Sequence, residues 1–163
     1  MFKKIAFSAP LAILALSSSF AFAVEESRST INITAKVPSS VFHAQPVDPN
    51  FGKAETMDYD IPSGTLSSLR ADYYVKHTDG AVGAYVEGGP QPLFNGADEI
   101  ALTYTFNGIA LTAVSKEVVT EAAAKPGIKA ELSIVPATPA AGKNGVYTAT
   151  PVVVFDAIPK VGP

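Results

Sequence analysis

Short stretches of alternating apolar and polar residues run along most of this chain. Residues 31–37 alternate strictly, and their apolar face consists of Ile31, Ile33, Ala35 and Val37. The same period of two recurs over residues 69–75, 102–106 and 128–134. A period of two with many β-branched residues is typical of strands that bury one face. The pattern therefore predicts an all-β fold.

Turn residues separate these stretches. Asn107-Gly108 lies between two apolar runs and predicts a tight hairpin, because both central positions of a type I′ turn need positive φ. Asp79-Gly80 occupies a second hairpin position, before a return strand over residues 81–87. Residues 146–157 predict a last strand, and the apolar run 152–155 is typical of a buried central strand. About seven short strands at this length favour an Ig-like β-sandwich.

One segment departs from the strand pattern. Residues 116–125 (KEVVTEAAAK) alone have real helix propensity, and Pro126-Gly127 would end that helix.

The first residues have the pattern of a secretory signal peptide. Lys3 and Lys4 precede an apolar stretch over residues 5–16, which is too short to span a bilayer comfortably. The small-x-small signature Ala21-Phe22-Ala23 follows, and it predicts cleavage between Ala23 and Val24. We therefore expect a signal peptide at 1–23, an N-terminal extension at 24–37 and an Ig-like body at 38–163.

Composition excludes several classes of function. The chain has no cysteine, which rules out a disulfide framework, a thiolate metal site and a thiol nucleophile. Twelve Lys and Arg against 15 Asp and Glu leave no basic excess for binding nucleic acid. With 47% apolar residues, the chain is hydrophobic enough to fold.

The residues that could carry chemistry do not assemble into an active site. His43 and His77 fall on different predicted strands, each without an acid at ligand spacing, and are expected at the surface or rim. Asp58 and Asp60 share a strand face, but no calcium-binding loop surrounds them. No Gly-x-Ser-x-Gly motif occurs. The tyrosines at strand spacing are expected to serve core or cross-strand packing and not to form a ligand platform; they are Tyr73, Tyr74, Tyr85 and Tyr104. We expect no enzyme activity, no metal and no cofactor.

Four segments match the pattern of one known family. They are residues 31–38, residues 57–79 with Val75-Lys76-His77-Thr78-Asp79, residues 100–111 with Asn107-Gly108, and Gly145-Val146-Tyr147 followed by Val152-Val153-Val154-Phe155. In these segments the chain resembles the major subunits of class 5 (CFA/I- and CS1-type) fimbriae, which the alternate chaperone–usher route assembles. The loop over residues 46–53 and the segment 116–125 depart from the family pattern.

The resemblance implies an Ig-like sandwich that lacks one strand in the monomer and is completed by donor-strand exchange. The donor residues would be Ile31, Ile33, Ala35 and Val37, entering the hydrophobic groove of a neighbouring subunit. The implied partners are other copies of the chain, a periplasmic chaperone, an outer-membrane usher and a tip adhesin. The implied location is a fimbria on the cell surface, reached through the periplasm.

Three other functions remain open at this point. A self-sufficient secreted or periplasmic Ig-like binding module would keep residues 31–37 in its own sandwich and remain monomeric. A tip adhesin would need a second receptor domain, for which residues 24–163 leave no room. A small secreted hydrolase has no catalytic residues to support it.

Overall fold

Two antiparallel β-sheets enclose the core in residues 41–160, the part of the chain that this computed structural model describes. In chain order the strands are β1 (Phe42–Pro46), β2 (Tyr59–Asp60), β3 (Thr65–Leu66), β4 (Leu69–His77), β5 (Gly80–Val86), β6 (Leu93–Phe94), β7 (Glu99–Ile100), β8 (Leu102–Phe106), β9 (Ile109–Ala110), β10 (Lys116–Val119), β11 (Ile128–Pro136) and β12 (Val153–Pro159). One short helix, α1 (Glu121–Ala124), lies between β10 and β11.

The larger sheet has the strand order β1-β4-β11-β8-β9, and the smaller has the order β10-β5-β12. Two further pairs, β2-β3 and β6-β7, form small two-stranded sheets. All of the pairings are antiparallel, which confirms the prediction of a mostly β fold. None of the described helices is long and apolar enough to cross a membrane.

The core lies between the two main sheets. The larger sheet contributes Val75, Tyr104, Phe106 and Leu132, and the smaller contributes Val82, Val86 and Val119. The ring of Phe106 lies 4.8 Å from that of Phe155, in a T-shaped contact that joins β8 to β12. The alternation predicted for residues 102–106 and 128–134 is confirmed, since their apolar face is the one that is buried.

The Asn107-Gly108 turn joins β8 to β9 as the sequence predicts. Asn107 has a φ of 50° and Gly108 a φ of 78°, as a type I′ turn requires. The Asn107 side chain also donates a 2.7 Å hydrogen bond from Nδ2 to the Val118 carbonyl oxygen. This bond ties the turn of the larger sheet to β10 of the smaller one.

The hairpin predicted at Asp79-Gly80 is wrong. β4 belongs to the larger sheet and β5 to the smaller one, so this turn carries the chain from one layer to the other. The physical reason lies in β5, which is buried along nearly its whole length and pairs with β10 on one side and β12 on the other. Both edges of β5 are therefore paired with strands other than β4, so β4 and β5 do not form a hairpin.

Three other boundaries differ from the prediction. The segment 116–125 is only partly helical, because Val118 and Val119 are buried in β10 and the helix begins at Glu121. The predicted strand on which Asp58 and Asp60 would share a face is reduced to the two residues of β2, Tyr59–Asp60. The last strand begins at Val153, not at Val146, whose residue surface is 84% exposed.

Candidate functional site

β12 is the strand whose position disagrees most with its sequence. The apolar run 152–155 predicts a central strand, yet β12 lies at the edge of the three-stranded sheet. It pairs with β5 from Val153↔Val86 to Pro159↔Gly80, and no second strand among residues 41–160 pairs with it. We call the side of Val153–Pro159 that faces away from β5 the β12 edge. Backbone groups along such an edge can pair with another strand.

The inward face of β12 contacts a group of aromatic rings. Phe155 packs against Phe106 and also against Tyr73 of β4, at a ring-centroid distance of 5.4 Å. Tyr73 in turn contacts Phe51, at 6.2 Å. Ala157 lies two residues beyond Phe155 on the same face, and it is exposed. The inward face of this strand is therefore apolar but incompletely covered.

β1 borders the same aromatic group from the opposite sheet. It pairs with β4 on one side, and Pro46 lies directly opposite Tyr73 in the register. Phe42 and Ala44 of β1 are also half-buried against the core. β1 and β12 are thus edge strands of the two main sheets, and we infer that the apolar surface near Tyr73 and Phe155 forms a groove between them.

The outer face of β12 is held by polar contacts. The Ser115 hydroxyl lies 2.8 and 3.0 Å from the two carboxylate oxygens of Asp156. Both groups lie over Gly83, where an added Cβ would come within 2.4 Å of each of them. The absence of a side chain at Gly83 lets this bond form close against β5, so β12 is fixed on the face that points away from the groove.

The first described residue, Val41, lies at the same end of the body as the C-terminal end of β12. The Thr78 N–H donates to the Val41 carbonyl oxygen at 2.9 Å, and the Lys160 N–H donates to the Asp79 carbonyl oxygen at 3.2 Å. These four residues define what we call the Val41 end of the molecule: Val41, Thr78, Asp79 and Lys160.

The opposite end of β12 lies beside two other segments. The Glu87 N–H donates to the Val152 carbonyl oxygen, and the Val86 N–H donates to the Thr112 carbonyl oxygen, both at 2.9 Å. Gly89 approaches Ala113 closely, since an added Cβ would lie 3.7 Å from the Ala113 Cβ. We call this the Val114 end, and it consists of residues 87–89, residues 112–114 and Val152.

The donor residues and the cleavage residues predicted from the sequence lie outside the described part of the chain. They are Ile31, Ile33, Ala35 and Val37, and Ala21, Ala23 and Val24. Their roles stay predictions.

The two histidines lie in different environments. His77 is buried, against the prediction of a surface or rim position, because its ring packs edge-on against Phe42 and its Nδ1 lies 2.9 Å from the Ala81 carbonyl oxygen. His43 stacks on Tyr74 at 5.3 Å. Within residues 41–160, no group of three or more potential ligands among His, Cys, Asp and Glu is placed to hold a metal.

Asp58 and Asp60 shape the short β2–β3 turn. Asp60 accepts hydrogen bonds from the hydroxyl and the N–H of Ser63, and these bonds lower the pKa of its carboxyl group despite a small opposing effect of desolvation. The Asp58 N–H donates to the Ser67 hydroxyl at 2.8 Å. Both aspartates thus have local contacts within a turn.

Tyr104 packs in the core, as the sequence predicts. Its hydroxyl donates to the Gln91 carbonyl oxygen at 2.8 Å, and burial raises its pKa to about 12. Burial also raises the pKa of Tyr73. Both tyrosines serve packing.

Sequence reasoning did not name the residues that line the groove. Phe51 and Tyr73 come from separate segments, and only the tertiary structure brings Tyr73 against Phe155 and Phe51 against Tyr73. The one available signal was the apolar run 152–155, whose continuous hydrophobicity is typical of a buried central strand.

Comparisons with known proteins point to one family. A family model described as CS1 type fimbrial major subunit matches residues 27–156. Among solved structures, the chain is similar to the CooA pilin subunit from enterotoxigenic Escherichia coli, with a TM-score of 0.48 and 11% sequence identity. That alignment covers 69% of this chain and 95% of the other. No curated protein matches the chain.

Proposed function

The chain belongs to the CS1 type fimbrial major subunit family, and we propose that it polymerises by laying its N-terminal strand along the β12 edge of a neighbouring copy. Family membership makes it a structural subunit of the fimbrial shaft at the cell surface, not an enzyme. Membership also implies that copies of the chain assemble with one another. The strand exchange and the residues that carry it are our proposal.

The position of β12 carries this proposal. A strand with the continuous apolar sequence of Val153 to Phe155 is typical of a sheet interior, but β12 has one partner among residues 41–160. An Ig-like sandwich that lacks its last strand would leave such a strand at the edge. Adding a donor strand there pairs the second side of β12 and covers Ala157 and the half-buried rings.

The alternation of residues 31–37 suits the groove. A strand added to the β12 edge turns every second side chain inward. The apolar face formed by Ile31, Ile33, Ala35 and Val37 would contact the rings of Tyr73 and Phe155. Asn32, Thr34 and Lys36 would then face water on the outside of the fibre. This division explains why the segment alternates strictly.

The donor strand is proposed to run antiparallel to β12. The described body begins with Val41, at the end of the molecule where β12 ends. Antiparallel insertion brings the Val41 end of each donor to the Val114 end of its acceptor. Every subunit then repeats the same head-to-tail contact, which generates an open filament. Parallel insertion would bring two Val41 ends together and leave no room for a third subunit.

An uncovered β12 edge also suggests the other partners. Exposed apolar strand edges promote aggregation, so a periplasmic chaperone is proposed to cover the groove before assembly. An outer-membrane usher would then exchange the chaperone for the next subunit's donor strand. A tip adhesin would cap one end of the fibre.

Substituting Ile33 tests the proposed donor strand. Ile33→Asp places a carboxylate on the apolar face, where it would be buried against Phe155 without a partner. We expect the subunit to be made and exported, but polymer seen by electron microscopy and as high-mass species on gels to be lost.

Thr34→Asp is the matched control, because it introduces the same charge on the outward face of the strand. It should polymerise like the wild type. Normal polymer from Ile33→Asp would refute donor-strand insertion. It would favour the alternative, a self-sufficient Ig-like module that keeps residues 31–37 in its own sandwich.

A further inference from the structure

We propose that the Val114 end of each subunit is the docking surface for the body of the next subunit, which presents its Val41 end. This inference rests on the proposed donor-strand exchange and adds a second contact, between the folded bodies. The occupant is another copy of this chain, oriented head to tail.

The length of the connection brings the two bodies together. Only residues 38–40 separate Val37, the last residue of the predicted donor strand, from Val41, where the described body begins. Four consecutive Cα–Cα steps in an extended chain cover at most about 14 Å. Once the donor strand lies in the groove, the body attached to it must therefore lie close to the end of that groove.

The direction of the donor strand determines which end of the acceptor subunit contacts the body of the donor subunit. With the donor strand antiparallel to β12, Val37 lies near Val153, where β12 begins. Val153 adjoins Val152, whose carbonyl oxygen accepts the Glu87 N–H. The donor's own Val41 end, which includes Thr78 and Asp79, therefore arrives at the Val114 end of the acceptor.

The Val114 end presents apolar surface in a fixed position. Val114 is 70% exposed and Val152 is 47% exposed. The Thr112 hydroxyl donates to the Val114 carbonyl oxygen at 3.1 Å and accepts from the Val114 N–H at 3.2 Å, which fixes the turn that carries Val114. A rigid turn with an exposed valine at its tip is a surface that a second body can cover without ordering a flexible loop.

The Val41 end offers an apolar counterpart. Val41 itself is 42% exposed, and its carbonyl oxygen is bonded to the Thr78 N–H, so the residue is held against the body. The neighbouring Asp79 is exposed. Contact between Val41 of one copy and Val114 or Val152 of the next would remove apolar surface on both sides from water.

Cysteine cross-linking within the polymer tests this contact. The chain contains no cysteine, so Val114→Cys and Asp79→Cys can be introduced together in the full-length chain as the only thiols. Polymer from this double variant is treated with a short bis-maleimide and denatured by boiling in detergent. We expect a ladder of covalent multimers, because each subunit reacts with one neighbour at each end.

The matched control pairs Asp79→Cys with Ile61→Cys, another highly exposed position, which lies between β2 and β3. It should give no ladder. Asp79→Cys alone should give no cross-linked dimer, because the proposed head-to-tail contact does not bring two Val41 ends together. A dimer from this variant would show that two Val41 ends meet. Polymer that yields no ladder with the Val114–Asp79 pair, or a ladder equal to that of the control, would overturn the docking surface.

The same experiment in the Ile33→Asp background separates this inference from the proposed function. If both are correct, neither polymer nor ladder forms there. Normal polymer with an intact ladder in that background would contradict donor-strand insertion while retaining the contact between bodies. Loss of the ladder alone, in polymer that still depends on Ile33, would contradict only the docking surface.

Discussion

At the scale of single residues, the contacts around Gly83 fix the outer face of β12. Ser115 and Asp156 meet over this glycine at a distance that leaves no space for a methyl group. The bond joins β12 to the segment that precedes β10 and crosses the central strand β5. It gives β12, the proposed acceptor strand, a fixed position before any donor strand binds.

Gly83→Ala should therefore destabilise the protein by about 1–3 kcal/mol, because the added Cβ displaces a part-buried hydrogen bond. Ser115→Ala, which removes the hydroxyl without crowding, should cost about 1 kcal/mol. Urea unfolding of residues 24–163 measures both variants. A Gly83→Ala variant as stable as the wild type would contradict the tight packing described here.

The burial of Tyr104 makes the stability of the folded chain depend on pH in the alkaline range. Its pKa in the folded chain is about 12 because the phenol is buried, whereas an unfolded tyrosine has a pKa near 10. Between these values the unfolded chain loses a proton that the folded chain retains. Stability is therefore fully present below pH 10 and decreases as the pH rises towards 12.

Tyr104→Phe tests this dependence. The variant should be less stable at neutral pH, by about 1 kcal/mol, because the bond to the Gln91 carbonyl oxygen is lost. Its stability should then fall less steeply than that of the wild type between pH 10 and 12. Parallel curves for the two proteins in urea titrations would show that Tyr104 does not carry the effect.

At the scale of strands, the sequence predicts those features that depend on neighbouring residues. Asn107-Gly108 identifies its hairpin because the turn conformation is set by the two residues themselves. The alternation over residues 128–134 identifies β11 because one face is buried along the whole strand. Both signals are contained in short segments.

Features that depend on distant partners could not be predicted in this way. Asp79-Gly80 has the composition of a hairpin turn, but the partners of β5 are β10 and β12, which come much later in the chain. The groove is another example, since Phe51, Tyr73 and Phe155 meet only after the two sheets pack. Local composition does not encode such pairings.

The exposed position of Ala157 allows a test of the groove without removing core residues. Ala157→Arg places a long cationic side chain on the inward face of β12, where the donor strand is proposed to lie. We expect the monomer to fold and polymer formation to be lost, because insertion would bury an unpaired charge. Polymer yield by electron microscopy provides the measurement.

Ala110→Arg is the matched control, at an exposed alanine of β9 on the far edge of the larger sheet. It should polymerise normally. Equal polymer from the two variants would place the acceptor site away from the β12 edge.

At the scale of the whole molecule, the body is proposed to be completed by a strand from a neighbouring copy. Burying Ile31, Ile33 and Val37 at roughly 1.5–3 kcal/mol each contributes about 5–9 kcal/mol as an upper bound. The stability of an entire domain is roughly 5–15 kcal/mol. One strand of this kind can therefore decide whether the body is firmly folded, which links folding to assembly.

Thermal unfolding of residues 38–163 with and without a peptide of residues 24–37 shows whether the body lacks a strand that the peptide supplies. An incomplete sandwich should melt at a temperature that the peptide raises by tens of degrees, while the Ile33→Asp peptide has little effect. A body that melts cooperatively at the same temperature in all three samples would contradict the account, because the sandwich would then be complete without residues 31–37.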